Sequence, residues 1–160
     1  MVNLPEPLLS RSDRDTRAAY DLDFYSWALE QAELLRSGRL SEADLEHIAE
    51  EIEDLSKRER RSLVSHVRIV IEHLMKLQAS PAVQPRAGWR ETVRRVREDI
   101  EDALEDSPSL RRELAAIIDR ETNRARRQVA DALAERGEAR DALPGLVYDE
   151  SQILGPWMPD

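Results

Sequence analysis

The three histidines are where a search for chemistry in this chain begins. His66 and His73 stand two helical turns apart, so they share one side of any helix that holds both. Glu59 and Ser62 fall on the same arc. A column of Glu59, Ser62, His66 and His73 would bind a divalent metal if a facing helix added a carboxylate, as in metal sites built inside helical bundles. No Glu-x-x-His pair occurs, however, and Asp44-x-x-His47 sits on a different face. The preferred reading is structural: both histidines lie at the core edge, bonded to a carboxylate or a backbone carbonyl. No cofactor is predicted, and a divalent metal on His66, His73 and Glu59 is the one alternative.

Two further groups have the right residue types. Glu46, Glu50, Glu51, Glu53 and Asp54 crowd one segment. Paired carboxylates do acid–base work when burial raises the pKa of one of them. Most of these point away from the local apolar stripe, which makes a solvated acidic face; Glu51 lies nearest the stripe's edge. The arginines form two patches, Arg58-Arg60-Arg61 and Arg120-Arg124-Arg126-Arg127. Arg120, Arg124 and Arg127 share a helix face and could hold the phosphates of a nucleic acid. Pairing with the acidic face is the preferred reading. The absence of cysteine excludes disulfides, thiolate metal ligands and a cysteine nucleophile. There is no phosphate-cradling glycine loop and no nucleophile elbow.

The elements that must position these residues are helices. A first helix is expected over about Asp23–Arg36, with Phe24, Trp27, Ala28, Leu34 and Leu35 inward and Gly38 as its left-handed stop. Ser41 can cap the next helix, with Asp44 completing a capping box and Leu40 and Leu45 forming a staple. From Ser41 to Ala79 there is no proline or glycine. Leu45, Ile48, Ile52 and Leu55 form one stripe, and Leu63, Val67, Val70, Leu74 and Leu77 form another. A straight helix of that span would be about 58 Å long, against a diameter near 40 Å for a compact domain of this size. The spacing therefore predicts a kink or break near residues 55–60, where Ser56-Lys57-Arg58-Glu59 is a second capping box, or else an end that protrudes into a partner.

A third helix spans about Arg86–Glu105, with Trp89, Val93, Val96, Ile100 and Leu104 inward. Ser107-Pro108 restarts the chain as cap and first helical residue. The fourth helix runs to about Arg136 with Leu110, Leu114, Ile117, Ala125, Val129 and Ala132 inward, and Gly137 ends it. The segment 138–160 reads as an irregular tail with one turn near Glu150–Leu154. Trp157 in that tail is stable only if docked on this domain or on a neighbour. No internal repeat and no strand is expected.

Composition narrows the function classes. The net charge of −9 repels nucleic acid and anionic membranes outside a local basic patch. No segment reads as a secretory signal or approaches the roughly 20 apolar residues that cross a bilayer. A cytoplasmic location with no membrane association is expected by default.

Four blocks carry a resemblance. They are Tyr20-Asp21-Leu22-Asp23-Phe24-Tyr25-Ser26-Trp27-Ala28 with Leu34-Leu35-Arg36-Ser37-Gly38; Glu50-Glu51-Ile52-Glu53 leading to His73-Leu74-Met75-Lys76; Gly88-Trp89-Arg90 with Asp106-Ser107-Pro108-Ser109-Leu110-Arg111; and Gln152-Ile153-Leu154 with Pro156-Trp157. In this order they resemble the bacterial and cyanobacterial "domain of unknown function twenty-nine" family over about residues 20–160. Met75 and Leu77 stand where leucine and an aromatic are more typical, which are size-compatible core changes. The resemblance implies a small all-helical bundle with no established activity and no catalytic residues.

The expected fold is all-α: a bundle of four main helices, the second long and kinked or broken near 55–60, with a docked irregular C-terminal tail. A single domain is expected over 21–160, with a mobile arm over 1–20. The expected function is a small, soluble, non-enzymatic interaction or adaptor protein with a protein partner or self-association. The alternatives are a metal-dependent bundle enzyme using His66, His73 and Glu59, and a nucleic-acid or toxin-neutralising partner acting through Arg120, Arg124 and Arg127.

Overall fold

A computed structural model describes residues 19–159. The expected arm therefore lies outside the described residues except for its last two positions. The chain is all-α with four main helices, and no strand occurs among the described residues. It divides into two compact units, one ending at Ser56 and the other beginning at Lys57.

In the first unit a helical turn at 19–22 precedes α1, Phe24–Arg36. Asp23 caps α1: its carboxylate accepts from the Ser26 N–H at 3.1 Å and from the Ser26 hydroxyl at 2.6 Å. The helix ends in a left-handed turn at Gly38, φ 73°, where Gly38 N–H bonds Leu35 O and Arg39 N–H bonds Leu34 O. Its buried face is Trp27, Gln31 and Leu34, whereas the expected Phe24 and Leu35 are exposed. Gln31 is drawn inward because its amide oxygen accepts the Asp44 N–H at 2.8 Å.

The second helix starts later than expected. Helix α2 runs Leu45–Ala79, 35 residues without interruption. Arg39 grips Glu42, and turn bonds to Arg39 O and Leu40 O occupy the residues around Ser41. Asp44 takes the cap instead, its Oδ1 accepting the His47 N–H at 3.3 Å. Leu40 and Leu45 stay exposed, so the staple does not bury either. Ser56 caps nothing: its hydroxyl donates to Glu53 O at 2.8 Å inside the helix. The expected junction is thus not a break in the helix; it coincides with the boundary between the two units.

The second unit holds the main core. From α2 come Leu63, Val67, Val70, Leu74 and Leu77, as the stripe predicts, together with Ile71 and Met75. Helix α3, Arg86–Asp106, buries Trp89, Val93, Val96, Ile100 and Leu104. After Ser107 the chain forms a 3-10 stretch, Pro108–Glu113, and only then α4, Leu114–Glu135. The first bond after the proline, Leu110 N–H to Ser107 O, closes a tighter turn than an α-helix makes. Leu114, Ile117, Ala125 and Val129 are buried on α4, joined by Ile118, Glu121, Thr122 and Leu133, while Leu110 and Ala132 are only half-buried.

The tail docks on its own chain. A second left-handed glycine, Gly137 at φ 69°, turns the chain out of α4. A short 3-10 turn, Leu143–Gly145, and α5, Glu150–Leu154, follow. Asp149 and Gln152 form a reciprocal capping box on α5. Leu143, Tyr148 and Ile153 join the core, and the Tyr148 hydroxyl donates to Gln78 Oε1 at 2.6 Å. Arg126 donates to the carbonyls of Leu143 and Leu146 at 3.1 and 2.8 Å.

Candidate functional site

Four places concentrate chemistry-bearing side chains. In the first unit, the cap of α2 brings an acid and a histidine together. Asp44 Oδ2 and His47 Nδ1 are 2.6 Å apart, and both side chains are largely buried. The Tyr20 ring stacks on His47 with centroids 4.5 Å apart, and Trp27 meets both rings edge-on. The Tyr20 hydroxyl donates to Glu51 Oε1 at 2.5 Å. That bond, with burial and nearby carboxylates adding to it, pushes the Tyr20 phenol up to about 12. Tyr20 therefore stays protonated and acts as a donor, not as a base. The Trp27 indole N–H is buried without a partner.

Asp44-x-x-His47 lies on a different face from His66 and His73, and it forms a close acid–histidine pair. The available signal was its three-residue spacing at a helix start, where a cap carboxylate meets the third helical residue. Glu51, singled out at the stripe's edge, is the carboxylate that gains a buried-side partner; that the partner is Tyr20 follows only from the fold.

On the second half of α2, His66 and His73 are both half-buried. His73 Nδ1 donates to Ile69 O at 2.8 Å, and burial holds its imidazole below the usual histidine range. His66 Nδ1 is buried without a partner. Glu59 is exposed. Among the described residues no three His, Cys, Asp or Glu side chains are grouped to hold a metal ion.

The arginines are redistributed by the packing of α2 against α4. Arg60, Arg61 and Arg68 of α2 line one groove of about 380 Å³ with Arg120 and Arg124 of α4. Val64, Ser65 and Glu121 complete its lining. Arg127 lies apart, lining a different groove with Arg126 and Arg140. The expected row Arg120, Arg124, Arg127 is therefore split, and two of the three arginines of the other sequence patch, Arg60 and Arg61, join Arg120 and Arg124. Within the second unit the arginines have carboxylate partners of their own. Arg120 Nε bonds Glu121 Oε1 at 2.9 Å, Arg68 lies 3.7 Å from Glu121 Oε2, and Arg60 Nε bonds Glu113 at 2.7 Å. Glu121 is only 1% exposed, and its Oε2 lacks a hydrogen-bond donor.

A third arginine site was missed in sequence. Arg97 of α3, 7% exposed, donates to Ile153 O at 2.9 Å, Gln152 O at 2.6 Å and Trp157 O at 2.7 Å. Three carbonyls around one guanidinium form a clamp for the tail, and this geometry uses the planar fork of arginine. Arg90 adds a bond to Pro159 O at 3.1 Å.

No helix among the described residues is long and apolar enough to cross a membrane. No curated protein and no solved structure matches the chain. The order of the four sequence blocks and the all-helical fold agree with one family model, which matches residues 19–156. The chain belongs to that family, described as domain of unknown function DUF29.

Proposed function

We propose that this protein is a non-enzymatic interaction module that self-associates through the first half of α2. The observation that carries the reading is the distribution of exposed apolar side chains. Among the described residues twelve large hydrophobic side chains are exposed, and nine of them belong to the first unit: Leu22, Phe24, Tyr25, Leu29, Leu35, Leu40, Leu45, Ile52 and Leu55. Among the described residues that unit buries only Trp27 and Leu34 of its large apolar side chains. A unit with so little apolar burial has a marginal core, and a disulfide, a metal or a partner chain is what ordinarily adds to it. Cysteine is absent from the sequence, and no metal-binding group occurs among the described residues.

The occupant we assign to this face is a second copy of the chain. Leu45, Ile48, Ile52 and Leu55 follow the three-four spacing by which helices pair. Leu45, Ile52 and Leu55 are 52%, 63% and 56% exposed. At 100° per residue, Glu46, Glu50, Glu53 and Asp54 lie about 120–180° from the centre of this stripe. Small residues, Ala49 and Ser56, flank it. Two identical stripes can therefore meet without bringing like charges together, as an isologous contact requires.

Light scattering on the size-excluded protein is expected to give a dimer whose fraction rises with concentration. Ile52→Glu with Leu55→Glu should give a monomer with unchanged helicity, since both positions are exposed. A wild-type monomer up to about 100 μM would sink the reading.

A further inference from the structure

We infer that the groove between α2 and α4 is a binding site for the phosphate group of a small phosphorylated molecule. The argument starts from charge. Arg60, Arg61, Arg68, Arg120 and Arg124 converge on one groove of about 380 Å³. The carboxylates paired with them are Glu113 on Arg60, Glu72 on Arg68, and Glu121 on Arg68 and Arg120. Five cations against three carboxylates leave two positive charges uncompensated. Among the described residues Arg61 and Arg124, both exposed, have no hydrogen-bond or ion-pair partner. Two guanidinium groups without acceptors, lining one groove from two helices, match one phosphate dianion, which offers the paired oxygens their forks require.

The site is built rather than scattered. Glu121 is buried in the wall and carries an oxygen with no hydrogen-bond donor. It draws Arg68 from one helix and Arg120 from the other toward the same carboxylate. Arg61 and Arg124, both exposed, line the same groove. The Ser65 hydroxyl lines the same space. The volume falls at the low end of small-ligand pockets.

A small ligand is favoured over a nucleic acid. The chain carries −9 overall, and two uncompensated charges neutralise one phosphate, not a row of them. A polymer extending past the groove would meet the surrounding negative field.

The test uses the full-length protein at low salt and follows amide NMR shifts. Glycerol 3-phosphate and inorganic phosphate are the probes, glycerol and sulfate the controls, and a short single-stranded DNA the polymer arm. The expected result is a saturable shift confined to residues 60–68 and 117–124 with both phosphates and neither control. Arg61→Gln with Arg124→Gln should weaken it at least about tenfold, while Arg94→Gln with Arg136→Gln, an equal charge change at two exposed positions elsewhere, leaves it intact. Both target side chains are exposed, so the double variant should keep its thermal midpoint. No saturable shift, or one that the double variant does not reduce, overturns the proposal. Equal binding of sulfate means an adventitious ion only and also overturns it. DNA binding tighter than phosphate, and lost steeply with salt, would assign the groove to nucleic acid instead.

Discussion

Arg97 and Trp157 stand 60 positions apart in sequence and are joined by a 2.7 Å hydrogen bond from Arg97 Nη2 to the Trp157 carbonyl. The same guanidinium holds the carbonyls of Gln152 and Ile153. Burial disfavours its charge, so the three acceptors are what keep it in place. Arg97→Met removes every donor and leaves the carbonyls to find water. It should cost about 2–4 kcal/mol in urea unfolding and open the chain beyond Tyr148 to proteolysis. Arg97→Lys, which keeps the charge and loses the fork, should recover only part of this. A tail that resists protease in Arg97→Met would contradict the clamp.

His73 makes stability depend on pH. Burial, aided by Lys76, holds its imidazole below the ordinary 6.5, against the opposing pull of the Ile69 carbonyl and Glu72. The unfolded chain therefore takes up the proton first. The contribution is present above about pH 6.5 and is lost as pH falls through the folded value. Thermal midpoints measured from neutral to mildly acid pH should drop more steeply in the wild type than in His73→Gln. Parallel curves would show that His73 does not feel its burial.

Tyr20 has the opposite sign at the alkaline end. Its hydrogen bond to Glu51 raises the phenol to about 12 from the usual 10.0, so its contribution is present below pH 10 and lost as pH climbs toward 12. The difference in phenolate absorbance between wild type and Tyr20→Phe isolates this group. Its midpoint should move back toward 10 in Glu51→Ala. An unchanged midpoint would remove Glu51 as the cause.

The two halves of α2 should respond differently to truncation. Leu74 is fully buried, and Leu74→Ala should cost about 2–5 kcal/mol. Ile52 is exposed, and Ile52→Ala should stay within about 0.5 kcal/mol in dilute protein. As concentration rises, Ile52→Ala should weaken association in light scattering. A large loss in dilute Ile52→Ala would mean that the stripe is covered within the chain.

Much of this molecule follows from local rules that a sequence displays. Helical spacing sufficed for Val67, Val70, Leu74, Val93, Val96 and Ile100, because a helix that meets a core must bury one continuous face. Gly38 and Gly137 end their helices because a left-handed turn favours the residue without a side chain. The same spacing placed Ile52 and Leu55 in a stripe, yet could not say whether anything covers it. The cap of α2 moved from Ser41 to Asp44 because an ion pair and an amide from Gln31 competed for the turn.

The candidate sites belong almost wholly to tertiary structure. Local periodicity placed Arg120, Arg124 and Arg127 on one face; packing of α2 against α4 divided them and brought Arg60, Arg61 and Arg68 to two of the three. Arg97 looked like one more charge on a solvated helix until a tail more than 50 residues away laid three carbonyls on it. Sequence by itself determined which faces are apolar and where helices can begin and end, since those depend on neighbours within a turn or two. Which charges meet was decided only by the fold, because a guanidinium takes whichever acceptor the packed backbone carries within about 3 Å of it.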